Sequence, residues 1–140
     1  MTELAAGAAP KSHDQETPLR IWLVDDDADH SEFLATLQQG EPRVDCSRCF
    51  SSASSLLAAL EQEYPPDAIL LDLQMPAMNS LEAIRHVKNL APFTLVLMLT
   101  TFFDSRCKQQ ALLAGASDIL LKCSSPGQII AAIRKALHSH

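Results

Sequence analysis

Asp72 closes the apolar run Ala68-Ile69-Leu70-Leu71, and three further apolar runs also end on residues capable of polar chemistry. Ile21-Trp22-Leu23-Val24 leads into Asp25 and Asp26, Leu95-Val96-Leu97-Met98-Leu99 into Thr100, and Ile119-Leu120-Leu121 into Lys122. Three carboxylates, a hydroxyl and an ammonium make one chemical set. Clustered carboxylates raise one another's proton affinity unless a cation neutralises them. All-oxygen ligation favours a hard ion, Mg2+ over Zn2+. A carboxylate beside such an ion can attack phosphorus and become an acyl phosphate. The hydroxyl and the ammonium then suit the transferring oxygens, one by hydrogen bonding and one as a point charge. The set is that of a site for a divalent metal and a phosphoryl group, with Asp72 as its sharpest member.

These residues meet only if the four runs are neighbouring strands. Short continuous apolar runs separated by helix-length amphipathic segments are the pattern of buried parallel strands. Ligands of open α/β sheets bind beyond the carboxyl ends of such strands, which is where the five residues fall. A further strand over Val44–Phe50 belongs nearer an edge, because Asp45, Ser47 and Arg48 interrupt it. The intervening segments carry helix signals. The first helix starts near Ala28 or Asp29, buries Phe33, Leu34 and Leu37, and ends at Gly40 and Pro42. The serines from Ser51 to Ser55 cap a helix bearing Leu56, Leu57 and Leu60, which Pro65 and Pro66 stop. Asn79 and Glu82 have capping-box spacing ahead of Leu81, Ile84 and Val87. Asp104 caps the next helix, which ends at Gly115, and Pro126 occupies the first turn of the last. Strict alternation of five strands and five helices predicts a doubly wound parallel sheet with right-handed crossovers.

The chain of 140 residues is long enough for one domain with a real core. A net charge of −6 argues against nonspecific nucleic-acid binding, which needs a basic face. No stretch approaches the roughly 20 apolar residues of a membrane span, and the N-terminus has no apolar signal-peptide core. A cytoplasmic location follows as the expectation. Residues 1–18 lack periodicity and read as a flexible leader, leaving 19–140 as the folded domain.

Two motifs resolve into ordinary structure. Asp25-Asp26-Asp27-Ala28-Asp29 opens like a calcium-binding EF-hand loop, but His30 stands at its glycine position and Thr36 at its closing glutamate. Asp27 and Asp29 read as an acidic first helical turn; Asp25 and Asp26, ending a buried strand, need compensation. Cys46-Ser47-Arg48-Cys49 has the spacing of a zinc or redox pair. Residues three apart in a strand point to opposite faces, and no second such pair exists, so these cysteines read as reduced thiols packed in or near the core.

From about Leu19 to Leu137 the chain resembles a response-regulator receiver domain, the phosphoacceptor half of a two-component signalling pair. The resemblance rests on four stretches in order: Leu23-Val24-Asp25-Asp26-Asp27, Leu70-Leu71-Asp72-Leu73-Gln74-Met75-Pro76, Val96-Leu97-Met98-Leu99-Thr100-Thr101-Phe102, and Ala114-Gly115-Ala116-Ser117-Asp118-Ile119-Leu120-Leu121-Lys122. It implies a flavodoxin-like fold with strand order 2-1-3-4-5 and helices on both faces. It implies that Asp72 accepts phosphate from the phosphohistidine of a sensor histidine kinase or phosphotransfer protein. Asp26 and Asp72 then ligate Mg2+, Asp25 acts through water, and the Gln74 backbone carbonyl completes the protein ligands. Thr100 and Lys122 bind the phosphoryl oxygens, while Gln74 and Phe102 occupy the positions that tune phosphate lifetime. Bulky Phe102 is expected to hinder an attacking water. The domain catalyses only its own phosphorylation and dephosphorylation, and signals by a population shift that exposes a partner surface or a homodimer through the last helices. No direct nucleic-acid or membrane binding by this chain is implied. The Leu99-Thr100-Thr101-Phe102 run resembles receivers attached to helix-turn-helix (LuxR-type) transcription factors.

The chain departs from that pattern in three places. Asn79-Ser80 stands where receivers usually carry Asp-Gly, and Asn caps a helix as well as Asp does. The switch aromatic falls on Ile119, which has no ring to rotate, so the usual coupling from Thr100 to the last helices is not carried over. Cys123 replaces a cis-proline after Lys122, and because a cis bond to a non-proline costs about 2.5–4 kcal/mol, a trans bond and a shifted loop are predicted. Two rival readings have distinct signatures. An aspartyl-phosphate phosphohydrolase combines the same residue types but places its nucleophile in a D-x-D-x-[TV] motif, where this chain has Asp29 at the last position. The alternative of a receiver fragment from a longer DNA-binding transcription factor shares every motif above; the Leu99–Phe102 run favours it, and a chain stopping at His140 favours a stand-alone receiver.

Overall fold

The computed structural model describes residues 18–25, 43–72, 80–101 and 104–138. Five strands, β1 (Leu19–Val24), β2 (Val44–Phe50), β3 (Ala68–Asp72), β4 (Leu95–Thr100) and β5 (Asp118–Leu121), form one sheet in the order β2-β1-β3-β4-β5. Every adjacent pair is parallel, which gives the expected doubly wound order with β2 at an edge. The described helices are α1 (Ala53–Gln62), α2 (Ser80–Leu90), α3 (Ser105–Ala114) and α4 (Pro126–His138). The helix expected from Ala28 or Asp29, and the leader, lie outside the described residues.

Alternation along the strands feeds two cores. Trp22, Val24, Ile69, Leu71, Val96, Met98 and Ile119 pack on one face against α1, α2 and α3. Ile21, Leu23, Leu70, Leu97 and Leu99 pack on the other against Ile129, Ile130 and Ile133 of α4. Burying each Leu or Ile contributes about 1.5–3 kcal/mol, so the two apolar layers clamp the three central strands from both sides. The caps fall where the sequence places them. Ser52 accepts from the Ser55 amide and Asp104 from the Arg106 amide. Gly115 ends α3 at φ 124°, and a Cβ there would stand 2.9 Å from Lys88 Cγ, so both backbone and space require glycine.

One expectation is corrected. Cys46 and Cys49 do not face opposite sides of the sheet; both pack into the α4-side core. The register between β1 and β2 shifts after Arg20–Asp45, so that Trp22 pairs with Arg48. The extra residue reverses the side-chain phase of β2, as a bulge does. It delivers the Arg48 guanidinium to the opposite face, 4.9 Å from the Phe50 ring centroid and 5.6 Å from that of Trp22, where it pairs with Glu63. Neither cysteine forms a disulfide.

Candidate functional site

Register brings the four strand ends to one rim. Val24 is level with Leu71, Asp72 with Leu99, and Thr100 with Leu121. Asp25 therefore follows β1 beside Asp72, and its amide donates to the Phe50 carbonyl at 2.9 Å. Thr100 ends β4 one position beyond the partner of Asp72. Its carbonyl accepts from the Lys122 amide at 2.7 Å, which fixes the lysine at the end of β5. Asp72 and Thr100 are both buried.

The side chains converge on one ammonium. Lys122 Nζ donates to Asp72 Oδ2 at 3.0 Å and lies 3.6 Å from Asp25 Oδ2. Both carboxylates are thus within an ion-pair distance of the same cation. Burial of Lys122 opposes its charge, but the hydrogen bond and charge of Asp72, with those of Asp25, outweigh it and hold the ammonium above its ordinary value. The rim therefore concentrates negative charge and stabilises positive charge.

Of the residues singled out from the sequence, the structure brings together Asp25, Asp72 and Lys122 and sets Thr100 beside them. Asp26, Gln74 and Phe102 lie outside the described residues. Ile119 is buried in the core beneath α3, opposite Met98 in register. No described peptide bond is cis, so the Lys122–Cys123 bond is trans, as its cost requires. One contact escaped the sequence reading: Ser80, at the start of α2, donates its hydroxyl to the Asp72 backbone carbonyl at 3.2 Å. The available signal was a buried hydroxyl-bearing residue at a helix start, eight positions after the candidate nucleophile.

The donor set suits a hard cation. Asp25 and Asp72 offer carboxylate oxygens on the rim where Lys122 already holds a positive charge. Among the described residues, no helix is long and apolar enough to cross a membrane.

A sequence model of the response regulator receiver domain matches residues 21–134. Over 117 residues the chain is 36% identical to the transcriptional regulatory protein LnrK of Bacillus subtilis (strain 168), which covers 82% of this chain and 52% of that protein. The chain thus spans about half the length, or less, of the curated relatives it matches. A LuxR-family two-component response regulator from Aurantimonas sp. SI85-9A1 has a TM-score of 0.78 at 28% identity, covering 89% of this chain and 88% of that one. A response regulator protein from Burkholderia pseudomallei, solved with a phosphorylated aspartic acid, a calcium ion and citrate, has a TM-score of 0.71 at 25% identity, covering 86% of this chain and 69% of that one. With four strand-end residues gathered on one rim of a doubly wound parallel sheet and the family match running across most of the chain, the protein belongs to the response regulator receiver domain family of two-component signalling.

Proposed function

We propose that Asp72 is the phosphoacceptor, and that it takes its phosphoryl group from a phosphohistidine on a sensor histidine kinase or phosphotransfer protein in the cytoplasm. In the step, an Asp72 carboxylate oxygen attacks phosphorus and the P–N bond breaks. The imidazole leaves and takes a proton, and a mixed anhydride remains on the aspartate. The observation that carries this reading is the shared ammonium of Lys122, 3.0 Å from Asp72 Oδ2 and 3.6 Å from Asp25 Oδ2. Lys122 orients the nucleophile in the resting domain and is positioned to follow the negative charge onto the phosphoryl oxygens. Thr100, one position beyond the partner of Asp72, supplies a hydroxyl to the same group.

Asp25, Asp26, Asp72 and the Gln74 carbonyl are the residues that would hold Mg2+. When bound, a hard divalent cation would neutralise the carboxylates and polarise the phosphoryl oxygens. The calcium ion in the Burkholderia pseudomallei relative, which carries a phosphorylated aspartate, supports this reading. The domain turns over no free substrate; its output is a shift between two populations of one fold. A dimer through the last helices is one form of that output. Control of a DNA-binding segment is another, since a relative 33% identical over 118 residues is a DNA-binding response regulator.

Incubation with acetyl phosphate and Mg2+ followed by mass measurement tests the chemistry. Wild type gains one phosphate and Asp72→Asn gains none. Phosphate on the Asp72→Asn protein, or none on wild type, refutes the assignment.

A further inference from the structure

We infer that Ser80 is a positioning residue for Asp72, its hydroxyl anchoring the peptide of the acceptor residue to the first turn of α2. This inference rests on the proposed role of Asp72 and adds a residue of this chain to it. Ser80 opens α2 at 6% exposure, and Asp72 ends β3 at 2% exposure. Between them runs a hydrogen bond of 3.2 Å from the serine hydroxyl to the Asp72 carbonyl, joining residues eight apart. Both ends of this bridge are stiff. Ala83 and Ile84 bury the first turns of α2 in the core, and β3 is hydrogen-bonded between β1 and β4.

The Asp72 carbonyl and carboxylate share one Cα. A tilt of the peptide therefore swings Oδ2 against the Lys122 ammonium, which holds it at 3.0 Å. In a buried setting a hydrogen bond is stronger than in water, so this one resists movement of the Asp72 peptide. The hydroxyl thus fixes the direction from which the carboxylate meets a cation. Ligand oxygens around a hard ion tolerate little displacement, most of all around Mg2+. Removing the hydroxyl should weaken metal binding even where the fold survives.

The experiment is a calorimetric Mg2+ titration without phosphodonor, paired with thermal unfolding, on wild type, Ser80→Ala, Ser80→Thr and Val87→Ala. Ser80→Ala is expected to raise the Mg2+ dissociation constant by about threefold to tenfold, the net worth of one hydrogen bond. Ser80→Thr keeps the hydroxyl and should restore binding. Val87→Ala, which opens a cavity on the same helix, should lower the melting temperature and leave Mg2+ binding at the wild-type value. Unchanged binding in Ser80→Ala overturns the inference, as does Ser80→Thr failing alongside it. Equal weakening by Val87→Ala also overturns it, by making the effect one of general stability. A wild type that binds no Mg2+ would instead remove the metal reading of the rim itself.

Discussion

Replacing Lys122 with Met removes a positive charge that Asp25 and Asp72 share, and the outcome can be worked from the distances. At an effective dielectric of about 20, a unit charge pair at 3.0 Å attracts by about 5 kcal/mol. Desolvation of the partners opposes this with several kcal/mol, and ordering the lysine side chain costs about 2 kcal/mol more. The Lys122 side chain is 26% exposed while that of Asp72 is 3% exposed, so the pair falls between a surface and a buried ion pair. These terms nearly cancel, so the expected coupling is set by the intermediate exposure: about 1–3 kcal/mol, between the values for exposed and buried pairs. The ammonium is held above 10.5, so its contribution is complete below that pH and is lost only as pH rises through the elevated value. A cycle measured at pH 7.5 therefore reads the whole of it. Urea unfolding of wild type, Lys122→Met, Asp72→Asn and the double variant, with a chelator present to exclude metals, provides the assay. Lys122→Met should be the least stable single variant, because it leaves two crowded carboxylates without their cation. Adding Asp72→Asn to it should then restore stability, whereas Asp72→Asn in wild type should not increase it. A coupling below about 0.5 kcal/mol, the level of an exposed pair, would show that the ammonium does not join these strand ends, and the electrostatic argument for the rim would fail.

Phe102→Ala should shorten the lifetime of the aspartyl phosphate several-fold by admitting water, as timed from loss of the added mass; an unchanged rate sinks that role. Burial, aided by the charge of Asp45, pushes the Cys46 thiol up from 9.0 to about 12. The unfolded chain ionises first, so stability is complete below pH 9 and falls above it by about 1.4 kcal/mol per unit. Cys46→Ala should flatten this decline in urea midpoints taken between pH 8 and 10, and a parallel decline in both proteins would contradict the burial argument.

Local patterning carried most of the fold because each strand had to satisfy two apolar layers at once. Ile69, Leu70 and Leu71 are apolar without a break since alternate members enter opposite cores, and the first polar residue after them marks where the sheet ends. The caps at Ser52 and Asp104 and the stop at Gly115 were equally legible, as each answers a need of its own helix. The same logic located Asp72, Thr100 and Lys122 without any knowledge of what lay beside them.

What escaped it were relations between segments. The sheet alternation assumed for Cys46 and Cys49 failed because a bulge depends on how β2 aligns against β1, and Arg48 finds Trp22, Phe50 and Glu63 only once those elements are adjacent. Ser80 looked like a neutral replacement at a helix start, since nothing in its own turn reveals a carbonyl on a neighbouring strand. The amino-acid order by itself determined which side chains stand at the strand ends, since burial and capping act over a few residues. Only the packed chain decided that one lysine serves two aspartates and that a serine hydroxyl ties down the peptide of one of them. Those contacts join residues 97, 50 and 8 positions apart and exist only after the sheet register is fixed.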